Sequence, residues 1–330
     1  MHTRGALLLV AGLALAGCDS RAPAVPSSQE QSRQVVAGSR PSGGLALRLA
    51  RRGGAPRLYR VPDLGEVPNI LRGRLPPAER AVGLDPEAEF LYLRTDGGEL
   101  VGYDLESGRL DTVATAVAQA TLGPDGTLYV VDDQRRVISA ARRVRFAWPQ
   151  PLATLPSDLF GAVNQRLVLV VRQELVRVIT AGATQAPTVR EVPATGDVAA
   201  TVWGDLVAVA ADSGIVLLDP LGRRDPLFVR LLEHPRALAF SPSGHRIYVA
   251  RRDWPGLAVV DRFEGKELDG IALPGEAATI RLDPLGRWLL ARPAAGDSVW
   301  IVDLALKRLA GTLPTTWQVD LPAVAPDGTV

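Results

Sequence analysis

Short stretches of alternating apolar and polar residues, each ended by a turn signal, run through most of the chain. A typical unit reads "RALAF" before a turn, "RIYVA" after it, "LAVVD" as a third segment and "LDGIAL" as a weaker fourth. Alternation with a period of two predicts half-buried β-strands, and the Pro, Gly, Asn and Asp residues between them predict tight turns. Since no sustained period of 3.6 residues occurs within the units, we expect an all-β fold.

The turn after the first strand of each unit recurs at a nearly constant spacing. Successive turns lie 38 to 42 residues apart. They are marked by Pro86, Pro124, Asn164, Trp203, Pro242, Pro284 and Pro326. A period of about 40 residues is typical of a four-stranded propeller blade, so the sequence predicts a β-propeller.

The third strands of the units predict the number of blades. They lie near Val61, Asp104, Ser139, Thr180, Asp219, Asp261 and Asp303. Four of them end in an acid, and Ser139 and Thr180 are interpreted as holding the place of that acid in two degenerate units. We expect seven blades, with six or eight left open. The surplus strand "QVDLPAVAP" is expected to complete the first blade and close the ring, which removes exposed strand edges.

The repeat resembles bacterial YVTN-type and WD-type β-propellers over nearly all of residues 45–330. The motifs that carry the resemblance are "SPSGHRIYVA", "LDPLGRWLLA", "LAVVDRFEGKELDGIAL" and "VWIVDLALKRLAGTL". The resemblance implies the architecture but little about activity, because propellers host hydrolases, oxidoreductases and pure scaffolds. The final "DGTV" reads as the start of another blade, so a further blade or C-terminal module after Val330 is left open.

The N-terminus departs from the repeat. Residues 1–17 combine a positive start with the apolar run "GALLLVAGLALAG", which is too short to span a bilayer and indicates a secretory signal. The tetrad "LAGC" that ends at Cys18 resembles the bacterial lipoprotein signal, which implies cleavage before Cys18 and lipidation of its sulfur. Asp19 resembles the inner-membrane retention signal of some Gram-negative lipoproteins, and the choice between inner and outer membrane is left open.

A polar segment separates this signal from the repeat. Residues 18–44 are rich in Ser, Pro, Gln and Gly and contain no aromatic residue, which predicts a flexible tether. Cys18 is the only cysteine of the chain, as suits a protein of an oxidising compartment that has no second thiol to pair with it. The expected organisation is therefore a signal peptide at 1–17, a lipidated tether at 18–44 and a propeller at 45–330.

Charge and histidine content narrow the possible functions. The chain has 37 basic and 36 acidic residues, a net charge of +1, and the two signs alternate, which argues against nucleic-acid binding. The propeller holds only two histidines, His234 and His245. The string "SPSGH" fills a turn of the repeat, and the acids of "VVDDQRR" lack the further oxygen ligands of a calcium loop. We assign no catalytic residue, metal or cofactor, and whether the protein is an enzyme stays open.

A binding surface is expected where the chain enters the innermost strands, because those loops meet around one mouth of the central channel. The residues about six positions before the turn marks are Arg80, Ala118, Asp158, Asp197, Arg236 and Ala278, with His234, Glu276 and Trp317 in the same loops. This rim is polar and of mixed sign, which suits a peptide or another polar ligand.

Together these patterns predict a monomeric, lipid-anchored propeller of the bacterial cell envelope, on the inner or outer membrane and facing the periplasm or the exterior. Its expected role is that of a protein-interaction or scaffold module with an envelope protein or peptide as partner. Two alternatives stay open: a lactonase-like or sugar-directed hydrolase, and the spacer part of a longer peptidoglycan-binding lipoprotein.

Overall fold

The computed structural model describes residues 44–325, apart from 69–72, 86–89, 142–143, 183–184, 195, 233, 284 and 317–319. In this part of the chain the strands form seven antiparallel sheets of four strands each, without helices. Consequently, the described part contains no apolar helix of membrane-spanning length. The expected all-β, seven-bladed propeller is confirmed, and the alternatives of six or eight blades are wrong.

Each blade is built from strands that follow one another in the chain, except the first, which shares its strands between the two ends. In chain order the strands are β1 Gly44–Ala50, β2 Arg57–Val61 and β3 Glu66–Val67 of blade 1; β4 Ala78–Leu84, β5 Phe90–Thr95, β6 Leu100–Asp104 and β7 Leu110–Ala114 of blade 2; β8 Val117–Leu122, β9 Leu128–Asp132, β10 Val137–Ala141 and β11 Val144–Ala147 of blade 3; β12 Asp158–Ala162, β13 Arg166–Arg172, β14 Val176–Gly182 and β15 Gln185–Val192 of blade 4; β16 Val198–Ala200, β17 Val207–Ala211, β18 Gly214–Leu218 and β19 Leu227–Arg230 of blade 5; β20 Pro235–Phe240, β21 Arg246–Arg251, β22 Gly256–Asp261 and β23 Lys266–Ala272 of blade 6; β24 Ala277–Leu282, β25 Trp288–Pro293, β26 Ser298–Asp303 and β27 Arg308–Pro314 of blade 7; and β28 Asp320–Ala325, again of blade 1. The first strand of each blade in chain order is the innermost one, and in blade 1 that place is taken by β28.

The C-terminal strand closes the ring. β28 pairs antiparallel with β1, with Leu45 opposite Ala325 and Ala50 opposite Asp320. It lies between the two neighbouring blades, since it contacts β4, the innermost strand of blade 2, and β25, the second strand of blade 7. The expected closure of the first blade by the end of the chain is confirmed.

The core is divided among the interfaces between blades. Seven clusters of buried apolar side chains occur in the described residues, one for each pair of neighbouring blades. Trp288 and Tyr59 share the cluster between blades 7 and 1, and Trp300 lies in the cluster between blades 6 and 7. This arrangement follows from strand alternation, because a sheet covered on both faces presents successive side chains to opposite neighbours.

The third strands of two blades correct the sequence interpretation. Ser139 and Thr180 lie inside β10 and β14 and are buried, so they do not hold the place of the strand-ending acid. Strand register puts Ala140 opposite Leu128 and Gly182 opposite Arg166, near the start of the second strand, where Asp104 lies opposite Phe90 in blade 2. Buried hydroxyls inside an apolar strand resembled the strand end because both interrupt the hydrophobic run.

The acids that do end third strands stabilise the following turn. Asp261 accepts hydrogen bonds from the backbone N–H groups of Phe263 and Glu264 at 2.8 and 2.9 Å, and these bonds lower the pKa of its carboxyl group. Asp104, Asp219 and Asp303 bind the backbone of their turns in the same way. The recurring acid is therefore a turn cap.

Replacing Asp219 with Ala is expected to lower the free energy of unfolding by about 1–3 kcal/mol, because backbone and side-chain donors lose their acceptor. Asp219 is buried and accepts bonds from Leu221 N at 2.9 Å and from Arg223 Nε at 3.0 Å. Burial alone would raise the pKa of Asp219, but the hydrogen bonds and charge of Arg223 and the backbone bond from Leu221 outweigh burial and lower it.

Because the folded-state pKa of Asp219 is lowered, its contribution is complete above the unfolded value of about 3.9 and is lost as the pH falls through the folded value. Urea unfolding should therefore show a difference between wild type and Asp219→Ala at pH 7 that narrows below about pH 4. The exposed Asp225 of the same turn is the matched control, and an equal loss in Asp225→Ala would contradict the capping role.

Candidate functional site

The loops of all blades meet at two faces of the propeller, because neighbouring strands run in opposite directions. On the front face the chain enters the innermost strand and turns from the second strand to the third; the other turns lie on the back face. Gly44 lies on the back face, since β1 starts opposite the end of β28. The described chain therefore begins on the face opposite the front mouth, which is the channel opening on the front face.

The rim residues expected from the repeat lie at the start of innermost strands. Arg80, Ala118, Asp158, Arg236 and Ala278 are among the first three residues of β4, β8, β12, β20 and β24. Asp197 directly precedes β16, and His234 and Glu276 directly precede β20 and β24. Trp317 lies outside the described residues. The structure thus places the described rim residues at one end of their strands, on the front face.

Two rim acids share one arginine. Arg172 Nη2 lies 2.9 Å from Asp158 Oδ2 and 3.3 Å from Asp197 Oδ1. The other oxygen of Asp197 accepts a hydrogen bond of 2.8 Å from the backbone N–H of Leu238. These contacts connect blades 4, 5 and 6. We call Asp158, Arg172 and Asp197 the acidic sector. Because it contains two carboxylates and one guanidinium group, it has a net negative charge.

Two further rim residues are engaged across blades. Arg236 of blade 6 forms an ion pair with Glu276 at the start of blade 7, so this pair is neutral. His234 Nδ1 makes a hydrogen bond with the backbone carbonyl of Asp212, and because a carbonyl only accepts, the imidazole donates. His234 therefore holds the loop before blade 6 against the preceding blade.

The sequence interpretation missed a set of arginines at the ends of second strands. Two of them are the last residues of β13 and β21, two are the next-to-last residues of β5 and β25, and one directly follows β1. In chain order they are Arg51, Arg94, Arg172, Arg251 and Arg292. The signal is present in the sequence, because "RLAR", "YLRT", "LVVR", "YVAR" and "LLAR" recur once per repeat in five blades.

Some of these arginines connect neighbouring blades. Arg51 Nη1 donates to the carbonyl of Glu79 at 2.8 Å. Arg94 Nε donates to the carbonyl of Val117 at 2.7 Å and forms an ion pair with Glu79. Since the bonds from Arg51 to Glu79 and from Arg94 to Val117 reach the innermost strand of the next blade, these side chains hold the front rim together.

Four arginines of blades 7, 1 and 2 lie near one another and are called the arginine sector here: Arg51, Arg80, Arg281 and Arg292. Arg292 Nη2 donates to Thr279 Oγ1 at 3.3 Å, and Arg80 and Arg281 are exposed residues of innermost strands. Restricted solvation and the charges of Arg80, Arg51 and Arg292 lower the pKa of Arg281. Arg281 reaches solvent but is surrounded by protein, which fits a side chain in the channel.

The residues considered for catalysis have structural roles. Ser241 Oγ lies 3.1 Å from Ser243 Oγ and accepts the backbone N–H of Arg246, while the ring of His245 packs edge-on against Phe263 at 5.3 Å. Asp132 accepts bonds from Arg136 N and Nε at 2.8 and 2.6 Å. Within the described residues, no three His, Cys, Asp or Glu side chains are grouped to hold a metal ion.

The back face carries exposed apolar side chains in the turns of three neighbouring blades. They are Trp203, Phe263, Leu285 and Leu306. Arg262 packs over the ring of Phe263 and pairs with Asp205 at 3.2 Å, which joins the turns of blades 5 and 6. The back-face turns of blades 5, 6 and 7 thus expose large apolar groups, and Leu232, in the loop before β20, is exposed on the front face.

Comparison with known proteins identifies the fold but no family for this chain. No protein-family model matches this chain, and no curated protein matches its sequence. Solved structures share the architecture. Apo AztD from Citrobacter koseri is 11% identical, with 83% of this chain and 82% of that chain covered and a TM-score of 0.52.

Two further solved structures are similar to the same extent. Hydrazine synthase of Kuenenia stuttgartiensis is 12% identical, with 76% of this chain and 89% of that chain covered and a TM-score of 0.54. Dihydro-heme d1 dehydrogenase NirN, in complex with DHE, is 14% identical over 83% of this chain and 64% of its own, with a TM-score of 0.53. At such identities the likeness shows the β-propeller fold alone.

Proposed function

We propose that this protein is a lipid-anchored propeller of the bacterial cell envelope, exposed outside the cytoplasm, which serves as an interaction or scaffold module and binds its partner at the front mouth. The observation that carries the proposal is the collection of charged side chains from different blades around one mouth, among them the acidic sector and the arginine sector. Charged groups around a concave opening select and orient polar partners.

The position of the first described residue supports this arrangement. Cys18 and Asp19 lie outside the described residues, and the chain that follows them joins the propeller at Gly44 on the back face. The attachment point of the proposed tether thus lies on the face opposite the front mouth. Two or three acyl chains on Cys18 would hold the protein stably, whereas one chain gives reversible binding.

Replacing Cys18 with Ser is expected to move the protein from the membrane fraction to the soluble fraction, because lipidation at this sulfur is the proposed anchor. Fractionation and intact-mass measurement of the purified full chain test this, with Ser20→Ala as the control that keeps both the lipid and the membrane location. A Cys18→Ser protein that stays in the membrane fraction would refute the anchor.

Photo-crosslinking tests the binding surface separately from the anchor. A photoreactive residue at Ala118, on the front rim, should give an adduct with an envelope partner in membranes. The same group at Leu306, an exposed position of the back face, is the matched control. Adducts formed only from Leu306 would show that the partner binds elsewhere.

A further inference from the structure

Large apolar side chains are exposed in the back-face turns of blades 5, 6 and 7. We call these side chains, which are 50 to 63% exposed, the apolar back patch: Trp203, Phe263, Leu285 and Leu306. The described back-face turns of blades 1 to 4 expose no large apolar side chain. Outside the turns, apolar residues are exposed at the back-face ends of two outer strands, at Leu110 of β7 and at Leu227 and Phe228 of β19. The exposure is therefore concentrated on one side of the face.

The turns that carry the apolar back patch are in contact with one another. Arg262 donates a hydrogen bond of 3.3 Å to the carbonyl of Gly244 and forms an ion pair with Asp205, which joins the turns of blades 5 and 6. Across the next interface, a Cβ at Gly286 would lie 2.5 Å from Pro242 Cδ. The turns of three blades thus form one continuous surface.

Most acids of this surface are engaged with the protein. Its turns contain eight basic and seven acidic residues in the segments 201–206, 219–226, 241–246, 261–266, 283–287 and 303–308. Four acids at strand ends accept hydrogen bonds from the backbone of their own turns, namely Asp219, Asp261, Asp283 and Asp303. Asp205 is paired with Arg262. These carboxylates therefore stabilise the turns.

The exposed charged side chains of the same turns are mostly basic. The exposed acids among the described residues are Asp225 and Glu264, and Glu264 is paired with Lys266 at 3.4 Å. The exposed cations are Arg223, Arg224, Arg246, Lys266, Lys307 and Arg308. Because the turns as a whole are close to neutral, their attraction for anions is modest, but the groups that reach solvent are predominantly positive.

Cations lie directly beside the apolar side chains. The guanidinium group of Arg262 packs over the ring of Phe263 at 4.7 Å, and Leu306 precedes Lys307. The two lysines of the chain, Lys266 and Lys307, both lie in these turns. The apolar core of a protein interface is depleted in charged residues, so separate apolar side chains flanked by cations favour a lipid surface. There, aromatic and aliphatic side chains enter the headgroup region while Lys and Arg stay in contact with water and phosphate.

The described chain begins next to this surface. Gly44 lies on the back face, opposite the end of β28, and a Cβ added to it would lie 2.7 Å from Trp288 Nε1. Trp288 starts β25 directly after the turn that contains Leu285. The predicted tether from Cys18 to Gly44 has a mean reach of roughly 30 Å as a flexible coil. A lipid on Cys18 would thus keep the surface within reach of the bilayer.

We propose that the apolar back patch is a membrane-contact surface, which inserts shallowly into the headgroup region of a phospholipid bilayer while Lys266 and Lys307 reach the lipid phosphates. The inference goes beyond the proposed function, on which it rests for the presence of a membrane. It adds a second, reversible contact to the proposed lipid anchor. Since the turns are close to neutral, this contact depends mainly on the apolar side chains.

Sedimentation with vesicles tests the surface. The full-length Cys18→Ser protein is mixed with vesicles made of equal parts of phosphatidylcholine and phosphatidylglycerol, and the bound fraction is measured against lipid concentration. Leu285→Ser with Leu306→Ser should weaken binding by about tenfold or more, because two exposed leucines lose their burial in lipid. Leu155→Ser with Leu232→Ser removes the same side chains at exposed positions of front-face loops and should leave binding unchanged.

The matched variants also separate this surface from the N-terminal apolar run, which all of them retain. Any vesicle binding through that run is equal in the two double variants, so only the difference between them reports on the apolar back patch. If Leu285→Ser with Leu306→Ser does not fold, Phe263→Ser alone is measured.

Two further measurements locate the contact. Lys266 and Lys307 are the only lysines, so an amine-reactive reagent should modify both more slowly when vesicles are present. A photoreactive residue at Leu306 should form an adduct with the mass of a phospholipid, whereas the same group at Leu232, on the front face, should not.

The outcomes separate this inference from the function on which it rests. Equal vesicle binding of both double variants, or no binding at all, refutes the membrane contact. An adduct of Leu306 with a second copy of the chain or with another protein, and none with lipid, shows that the apolar back patch is a protein interface and also refutes it. The proposed anchor and the front mouth are tested independently, by Cys18→Ser in washed membranes and by the adduct at Ala118.

One result would support the contact and refute the anchor. If the Cys18→Ser protein stays in the washed membrane fraction and is released only when Leu285 and Leu306 are also replaced with Ser, the apolar back patch holds the protein without the lipid. Release by Cys18→Ser alone, with vesicle binding that still depends on Leu285 and Leu306, supports both.

Discussion

A chain that ends at Thr316, and therefore lacks β28, is expected to lose the closed ring and with it most of its cooperative unfolding transition. β28 pairs with β1 along Leu45–Ala50 and contacts strands of blades 7 and 2. Its removal leaves β1 as an unpaired edge and opens the channel wall between those blades. We expect Tm to fall by about 10 °C or more, measured by circular dichroism.

Strand complementation provides the control for this truncation. A peptide with the sequence of residues 317–325 should bind the truncated chain and restore part of the lost Tm, because it replaces the missing hydrogen-bond ladder, whereas a scrambled peptide should not. Unfolding of the truncated chain at the wild-type Tm would show that closure by β28 contributes little to stability.

The second large effect is expected at Trp288, which packs in the interface that ring closure creates. Its side chain is 1% exposed and lies with Tyr59 and Val61 of blade 1 and Leu290 of blade 7. Replacement by Ala should lower the free energy of unfolding by about 3–5 kcal/mol, since it removes a large buried side chain and leaves a cavity.

Urea unfolding measures this loss, and Trp203→Ala is the matched control because Trp203 is 50% exposed. A side chain added at Gly44 should act on the same contact, because a Cβ there would lie 2.7 Å from Trp288 Nε1. A loss below about 1 kcal/mol for Trp288→Ala would mean that this interface relaxes around the cavity.

The fold could be predicted from the sequence because each blade repeats the same pattern of strands and turn residues. Turn residues at a constant spacing and alternating strands fix the blades, and Asp219, Asp261 and Asp303 recur because each caps a turn. The assignment failed where a buried polar residue imitated that cap, at Ser139 and Thr180. Sequence alone does not show whether a hydroxyl in an apolar strand lies at its end or inside it.

The site was predictable only in part. Its position at one end of the innermost strands follows from the repeat, which selected Arg80, Asp158 and Asp197. The partners of these residues could not be predicted from the repeat, because Arg172 belongs to a second strand and reaches another blade. Arg281 lies near the end of β24, outside the expected rim, and its interaction with Arg80 depends on the long reach of both side chains and on the closure of the ring.

The proposed attachment of a membrane tether to β1 has a mechanical consequence. β1 is hydrogen-bonded on both edges, to β28 on one side and to β2 on the other. Under the proposed anchoring, a partner that pulls on the front mouth applies force along the length of β1. The hydrogen bonds of β1 with β28 and with β2 are then loaded together in shear and are not broken one after another. The proposed membrane connection would thus run through a strand held on both sides, with tension shared with the strand that closes the ring.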